Sequence, residues 1–463
     1  MLTRDHAADL FDKLRKHSSA DEVELLISSG SSALTRFANN TIHQNVAEEN
    51  TQISVRVSFG GKTARATTNK CDDDSLRRVV QSAEALARVQ QDDPDLLPMP
   101  TPQEAKSDGT VAPTRYFEST ARLTPQERAA AVAQMVDVAN RNGLTTAGVY
   151  SSSEVAEGIF NSHGVAHWYE QTLAEVSITM LADTSSGWQK ANSPDSRQVD
   201  HVRMAEVAAQ KAIDSPDPTE LPPGKYTVIL EPAAVLDAVG FMFWDFGGSA
   251  LLEQRSFLND RIGKPLFGEN ITVWDDVYHP LQTGAPFDGE GMRRQPVKLI
   301  EQGTVTAVTY ARSSAKRVAT SELAGNVGPI TVTGHGFALP NEIGEAPLNI
   351  VFSGPKPGEA QSVDQMVAAT DYGILVTRLW YIREVDPYEK IITGMTRDGT
   401  FLIEDGKALR GVRNFRFNQS LIDMLQNVEA MGDPVRSSGE ESMDMVVPAM
   451  KVHNFNFTEV TKF

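Results

Sequence analysis

The chain has one cysteine, Cys71, in 463 residues. A single thiol excludes an intrachain disulfide and any Cys-rich zinc site, and it points to a reducing compartment. No run of about 18 apolar residues occurs, so no helical membrane span is expected. The opening "MLTRDHAADLFDKLRKHSSADE" is a charged amphipathic helix without an apolar stretch, unlike a signal peptide. A cytoplasmic chain is therefore expected. Positive charge is scarce: 43 Lys and Arg stand against 61 Asp and Glu, for a net charge of −18. That balance argues against a phosphate-coating surface and a nucleic-acid partner. The phosphate-cradling patterns GxGxxG and GxxxxGK[ST] are absent, as is the nucleophile elbow GxSxG. None of the nine histidines begins HExxH or HExxxH. Cys71 lies just before a helix start among aspartates, a setting that disfavours its thiolate.

What remains is an ordinary globular composition, 40% hydrophobic and 22% charged, in a chain long enough for two or three cores. After the first helix, the segments "VELLISSG", "SALTRFANNTIHQN", "TQISVRVSFGG" and "KTARATTN" read as strands, with a hairpin signal at Gly60-Gly61. A helix follows "DDDS", where aspartates suit the free N–H groups. Residues 92–113, rich in Pro, Asp and Gln, read as a surface loop. A helix then starts with Thr124 as N-cap, Pro125 at its first position and Glu127 at its third, and ends at Gly143. Strands resume to about residue 182, and a third helix covers about 199–214. The segment "SPDPTELPPGKY" divides the chain into residues 1–220 and 221–463. The second part opens on "AVLDAVGFMFWDFGGSALLEQRSFL", whose Val235, Leu236, Val239, Met242, Phe243 and Phe246 follow helical spacing. Short strands follow, with Gly303 and Gly399 at hairpin-like positions. These elements read as an α/β or α+β first domain and a largely β second domain.

Few residues offer chemistry. His163 and His167 are four apart, but Asn161, Ser162 and Gly164 make a turn into a strand rather than a helical metal face. "WDDVYHP" gathers Asp275, Asp276 and His279, which are competent ligands but equally a solvated loop beside Pro280. "TGHGFALPNEIG" places His335 and Glu342 in a glycine-flanked loop, which is either a functional loop or a hydrogen-bonded turn.

Several segments together resemble the TldD/TldE (PmbA) metallopeptidase family: "NTIHQNVAEENTQISVRVSFGGKTARATTN", "IFNSHGVAHWYEQT", "SFLNDRIGKPLF", "APFDGEGMRRQPVKLIEQGTV" and "MVVPAMKVHNF". The turn Asp288-Gly289-Glu290-Gly291 followed by "LIEQGTV" is the most specific of them. The resemblance implies that TldD-type members carry HExxxH on the helix opening the second domain, with a later cysteine completing a zinc site. TldE-type members lack these ligands and pair with TldD. Aligned through "SFLNDRIGK", the motif falls on "VGFMFW", so Val239, Gly240 and Trp244 occupy the ligand positions and Ser442 stands near the cysteine. The chain resembles a TldE-like subunit with no metal site or cofactor of its own, zinc being expected in a TldD-like partner.

The resemblance further implies the fold class α+β, an α/β N-terminal domain followed by a mainly antiparallel, twisted, barrel-like β domain, with a channel between the two. Peptides are held most simply as an added strand at a sheet edge. Asn40, Thr41, His43 and Gln44, on a polar strand, are candidates to line that channel, as is His335; an ordinary edge strand is the competing reading. The expected partners are a TldD-like HExxxH subunit or a second copy of the chain, and extended peptides. Two alternatives stand beside this. One is a self-sufficient peptidase with an atypical site at Asp275, His279 or His335; the other is a non-hydrolytic peptide-binding homodimer. The family's older description as a gyrase modulator implies a DNA-related role, which the charge disfavours.

Overall fold

The computed structural model describes residues 1–106 and 109–461. The loop read over 92–113 thus includes Ser107 and Asp108, which lie outside the described residues. The N-terminal part is one antiparallel six-stranded sheet in the order β3-β2-β1-β4-β5-β6. Its strands are β1 Glu22–Ala38, β2 Thr41–Phe59, β3 Lys62–Thr68, β4 Thr145–Asn161, β5 Ala166–Leu181 and β6 Ser186–Ser193. The sequence reading split β1 in two, and the structure corrects this. Gly30 does not turn the chain; a Cβ there would overlap the Glu154 carbonyl of β4, so close backbone approach explains the glycine. The turn comes at Asn39 and Asn40, both left-handed (φ 50° and 58°), as a two-residue hairpin favours.

Strand alternation decides which face is covered. Leu25, Ile27, Val55 and Val57 pack under the helices Arg4–His17 and Asp73–Val89. Phe37, Val176 and Ile178 pack under Pro125–Arg141 and His201–Asp214. Thr124 and Glu127 close the expected capping box. All four helices therefore lie on one face of the sheet, leaving the other for the second half of the chain.

Residues 215–223 lead into β7, Gly224–Leu230. β7 joins Met450–Val460, Phe415–Ser420, Ile391–Glu404 and Tyr372–Asp386, and the last of these pairs back to β7. The five strands close a ring, the barrel expected. A second six-stranded sheet is built from short strands, including Val273–Asp275, Val297–Glu301 and Ile350–Phe352. Gly399 is not in a hairpin turn: it lies within Ile391–Glu404 at φ 130°, and the turn falls on Asp405-Gly406.

The helix read from residue 234 until Gly247 and Gly248 end its pattern is corrected to a shorter helix, Pro232–Val239, and a 3₁₀ turn at Phe243–Asp245; a separate short helix, Gly248–Leu252, follows. Gly247 is extended and bridges Thr309, which ends helical geometry there. The apolar residues of that pattern are nevertheless all buried. The spacing identified the core but not the continuity of the helix.

Candidate functional site

The uncovered sheet face meets loops of the C-terminal part, and register fixes what it presents. Gln52 pairs with Ser28, Ser28 with Glu157, and Glu157 with Tyr169, so these four form one row across β2, β1, β4 and β5. The next row holds Ser54, Leu26, Ile159 and His167. Beyond it Glu24 is fully buried and accepts hydrogen bonds from Arg56 (3.0 Å) and Arg65 (2.6 Å). Arg65 also donates to the Leu339 carbonyl at 2.7 Å, tying the sheet to the opposite wall. Between the rows and that wall lies a cleft of about 660 Å³.

The opposite wall comes from the segments read as most specific. Asp288 accepts backbone N–H bonds from Glu290 (3.0 Å), Met292 (2.8 Å) and Gly336 (2.8 Å), pinning the 288–291 turn to the "HGF" loop. A Cβ on Gly336 would overlap the Glu290 carboxylate, so only glycine fits there. Burial, and then the neighbouring Asp288, push the Glu290 carboxyl up to about 7.

His335 is buried beneath this wall. Its Nε2 lies 2.8 Å from Asp275 Oδ1 and its Nδ1 3.0 Å from Thr333 Oγ1. Asp275 Oδ2 accepts from Leu348 N–H and Asn349 N–H. Burial opposes the charge on Asp275, yet His335, Arg294 and the Asn349 N–H together outweigh it and hold the carboxyl below the usual range. Both partners are thus fully engaged. His279 stands apart: its Nδ1 accepts from Leu281 N–H, and it borders another pocket with Asp276. The structure brings together two of the three atypical-site residues and not the third. Among the described residues, no group of three or more His, Cys, Asp or Glu side chains is placed to hold a metal ion.

Beside the cleft lies a smaller pocket of about 340 Å³ that unites the degenerate positions: Gly240, Trp244 and Ser442 all line it, with Phe241. Met443 borders both pockets. Trp244 stacks on Phe337 of the cleft wall, their rings 6.4 Å apart. Val239 is buried in the barrel core. A Cβ on Gly240 would overlap the Ser442 hydroxyl, so no glutamate fits at that position. The carboxylates nearby are occupied. Glu441 accepts from Tyr381 N–H and Ile382 N–H, and Glu440 faces Lys190. The residues present do not fit zinc.

Asn40 sits in the β1–β2 turn. Its amide donates to Asn140 and to the Leu144 carbonyl, and it accepts from Thr146 N–H. Thr41, His43 and Gln44 are exposed at the far end of β2. Gln44 lies eight residues before Gln52, roughly 26 Å along the strand. None of these four lines either pocket. Three residues that the sequence reading missed are prominent. Asp237, on the helix before Gly240, is fully buried, and its Oδ2 has no partner; a charged residue in an otherwise apolar helix was the available signal. Glu157 and Arg294 line the cleft and gave no signal, because only strand register places them there.

Fold and site together define a two-part α+β protein, a helix-backed sheet lying against a closed β-barrel with a cleft between them. The comparisons agree. Residues 223–459 match the family model described as the PmbA/TldA metallopeptidase C-terminal domain, 23–87 match domain 1, and 119–215 match the central domain. The chain belongs to this family, the TldD/TldE (PmbA) metallopeptidases. It is 22% identical over 453 residues to the metalloprotease PmbA of Escherichia coli O157:H7, covering 94% of this chain and 92% of that one. A PmbA homolog of Haemophilus influenzae is 21% identical, covering 93% and 94%. The crystal structure of TldE from Thermococcus kodakarensis superposes with a TM-score of 0.85 at 18% identity, covering 98% of this chain and all of that one. Among the described residues, no helix is long and apolar enough to cross a membrane.

Proposed function

We propose that this chain is a non-catalytic, TldE-like subunit that pairs with a TldD-like zinc metallopeptidase in the cytoplasm and helps process or degrade peptides and unfolded segments. One observation carries the reading. Where the resemblance puts the zinc ligands, Gly240 and Ser442 are in contact, Val239 is packed in the core, and Trp244 offers an indole. Glycine, valine and tryptophan provide no metal-binding atom, and a serine hydroxyl is a far poorer zinc ligand than a thiolate. The partner would supply zinc and the water it activates, while this chain supplies a wall of the peptide channel.

Elemental analysis of the purified chain tests the first half, and near zero zinc per chain is expected. Peptidase assays with and without an HExxxH-bearing homologue test the second. Chelator-sensitive activity is expected only with both chains present. Zinc near one per chain, or hydrolysis by this chain alone, would overturn the proposal.

A further inference from the structure

The strand Val273–Asp275 and the turn after it border a pocket of about 500 Å³ that shares no lining residue with the cleft or the degenerate pocket. Trp274 forms one wall, placed by register between Lys298 and Val351 of the neighbouring strands. Lys298 sits over the indole, its Nζ 4.9 Å from the ring centre. Leu281, Pro296 and Pro434 complete an apolar lining. Two polar side chains stand among them with hydrogen-bonding capacity left over. Asp276 Oδ1 accepts from Tyr278 N–H at 2.8 Å, while Oδ2 meets no donor among the described residues. His279 Nδ1 accepts from Leu281 N–H at 3.2 Å, which places the ring proton on Nε2. That Nε2–H has no acceptor among the described residues. Burial, the largest influence, lowers the His279 pKa against the pull of Asp276, so the ring is uncharged near neutral pH. Buried Arg115 donates to the Val277 and His279 carbonyls and holds the turn in place.

A ligand for this lining must give N–H groups to a carboxylate and, beside them, an acceptor to a ring N–H. Asp276 opposes an anion. A cation would face Lys298 and leave the His279 N–H unpaired. The ligand is therefore neutral, and an indole wall suits a flat heterocycle that stacks on it. Guanine carries O6, N1–H and the 2-amino group in order along one edge, an acceptor followed by two donors. Adenine has a single donor group on its corresponding edge. The N3–H of uracil lies between two carbonyls, one of which would face the carboxylate. We propose that this pocket binds the guanine base of a nucleoside, its N1–H and 2-amino group donating to Asp276, its O6 accepting from His279 Nε2–H, and its ring stacked on Trp274. This goes beyond the subunit reading and stands whether or not that reading does.

Isothermal titration calorimetry of the full chain with guanosine, inosine and adenosine tests the assignment. All three are uncharged and differ only in the base. Guanosine is expected to bind with a Kd below about 1 mM. Inosine lacks the 2-amino group and should bind about fivefold more weakly, with adenosine weaker still. Asp276→Asn keeps an acceptor for Tyr278 N–H but loses the charge, and should weaken guanosine binding about tenfold. His279→Asn keeps an acceptor for Leu281 N–H, removes the Nε2–H donor and should weaken binding about fivefold. The comparison of the three nucleosides uses the wild-type chain and does not depend on the variants folding. No binding of guanosine by wild type, equal affinity for guanosine and adenosine, or unchanged affinity in either variant would overturn the proposal.

Discussion

Asp237→Asn offers the sharpest test of how the degenerate pocket is held. Asp237 lies on the helix Pro232–Val239, and its Oδ1 accepts from Glu441 N–H at 3.2 Å, securing the loop that carries Ser442. Burial, only partly offset by backbone N–H groups and Arg378, pushes its carboxyl from 3.8 up to about 7. The folded chain therefore keeps a proton that the unfolded chain loses near pH 4. This contribution to stability is complete below pH 4, falls as pH rises towards 7, and is flat above. A displacement of about three pH units at about 1.4 kcal/mol each is worth on the order of 4 kcal/mol. About half of it falls between pH 5 and pH 7. Asparagine cannot ionise and keeps the acceptor for Glu441, but it places an amide NH₂ where Oδ2 has no partner, at a cost of about 1–3 kcal/mol. Every other titrating group is common to both proteins and cancels in the comparison. From pH 5 to pH 8 the stability difference should therefore move by about 2–3 kcal/mol in favour of the variant. For a domain of this size that is a relative gain of roughly 5–10 °C in melting temperature. Melting curves of both proteins at half-unit pH steps supply the data. Parallel curves, with a constant gap from pH 5 to pH 8, would refute the reasoning.

Two further outcomes follow from contacts already described. Gly240→Ala forces a methyl group onto the Ser442 hydroxyl and should lower stability by about 1–3 kcal/mol, while Ser442→Gly in the same chain should recover most of it; thermal melting of the single and double variants checks both. His335→Ala leaves the Asp275 carboxylate buried without its ring partner and should destabilise by about 3–5 kcal/mol, read by chemical denaturation, whereas a solvent-exposed histidine such as His43 should tolerate the same change with little effect.

Legibility from sequence followed the range of the interactions. Local chemistry was readable: the capping box at Thr124 and Glu127, and the glycine hairpin at Gly60-Gly61. The barrel came through the resemblance, and its closure depends on Tyr372–Asp386 pairing with β7 across about 150 residues of chain, which no local pattern encodes. The opening helix shows the limit well. Buried apolar residues at helical spacing look the same whether the backbone is continuous or broken, and here the helix stops at Val239 while Met242, Phe243 and Phe246 are buried from a turn and a 3₁₀ segment. The site divided in the same way. Gly240, Trp244 and Ser442, nearly 200 residues apart in places, line one pocket. The polar residues Thr41, His43 and Gln44 share a strand with the cleft residue Gln52, but strand length carries them away from it. Glu157 and Arg294 are ordinary charged residues in sequence, and only register and domain contact give them meaning.

The loop that brings Ser442 to Gly240 is also a fastening between the two halves of the chain. Arg436 donates to Asn192 on β6 (2.6 Å) and to Asp444 (2.8 Å), and Asn192 donates to Asp444 (2.7 Å). Lys190, also on β6, donates to the Gly439 carbonyl at 2.9 Å. Close approach at Gly240 and the bond from Glu441 N–H to Asp237 fix the same segment from the barrel side. A metal-binding helix needs side chains projecting into this space, whereas the joint needs the space filled by the opposing loop. The two demands exclude each other at Gly240. Writing histidine and glutamate into "VGFMFW" would therefore have to displace Ser442, and with it the joint to β6, before any ligand could point inward.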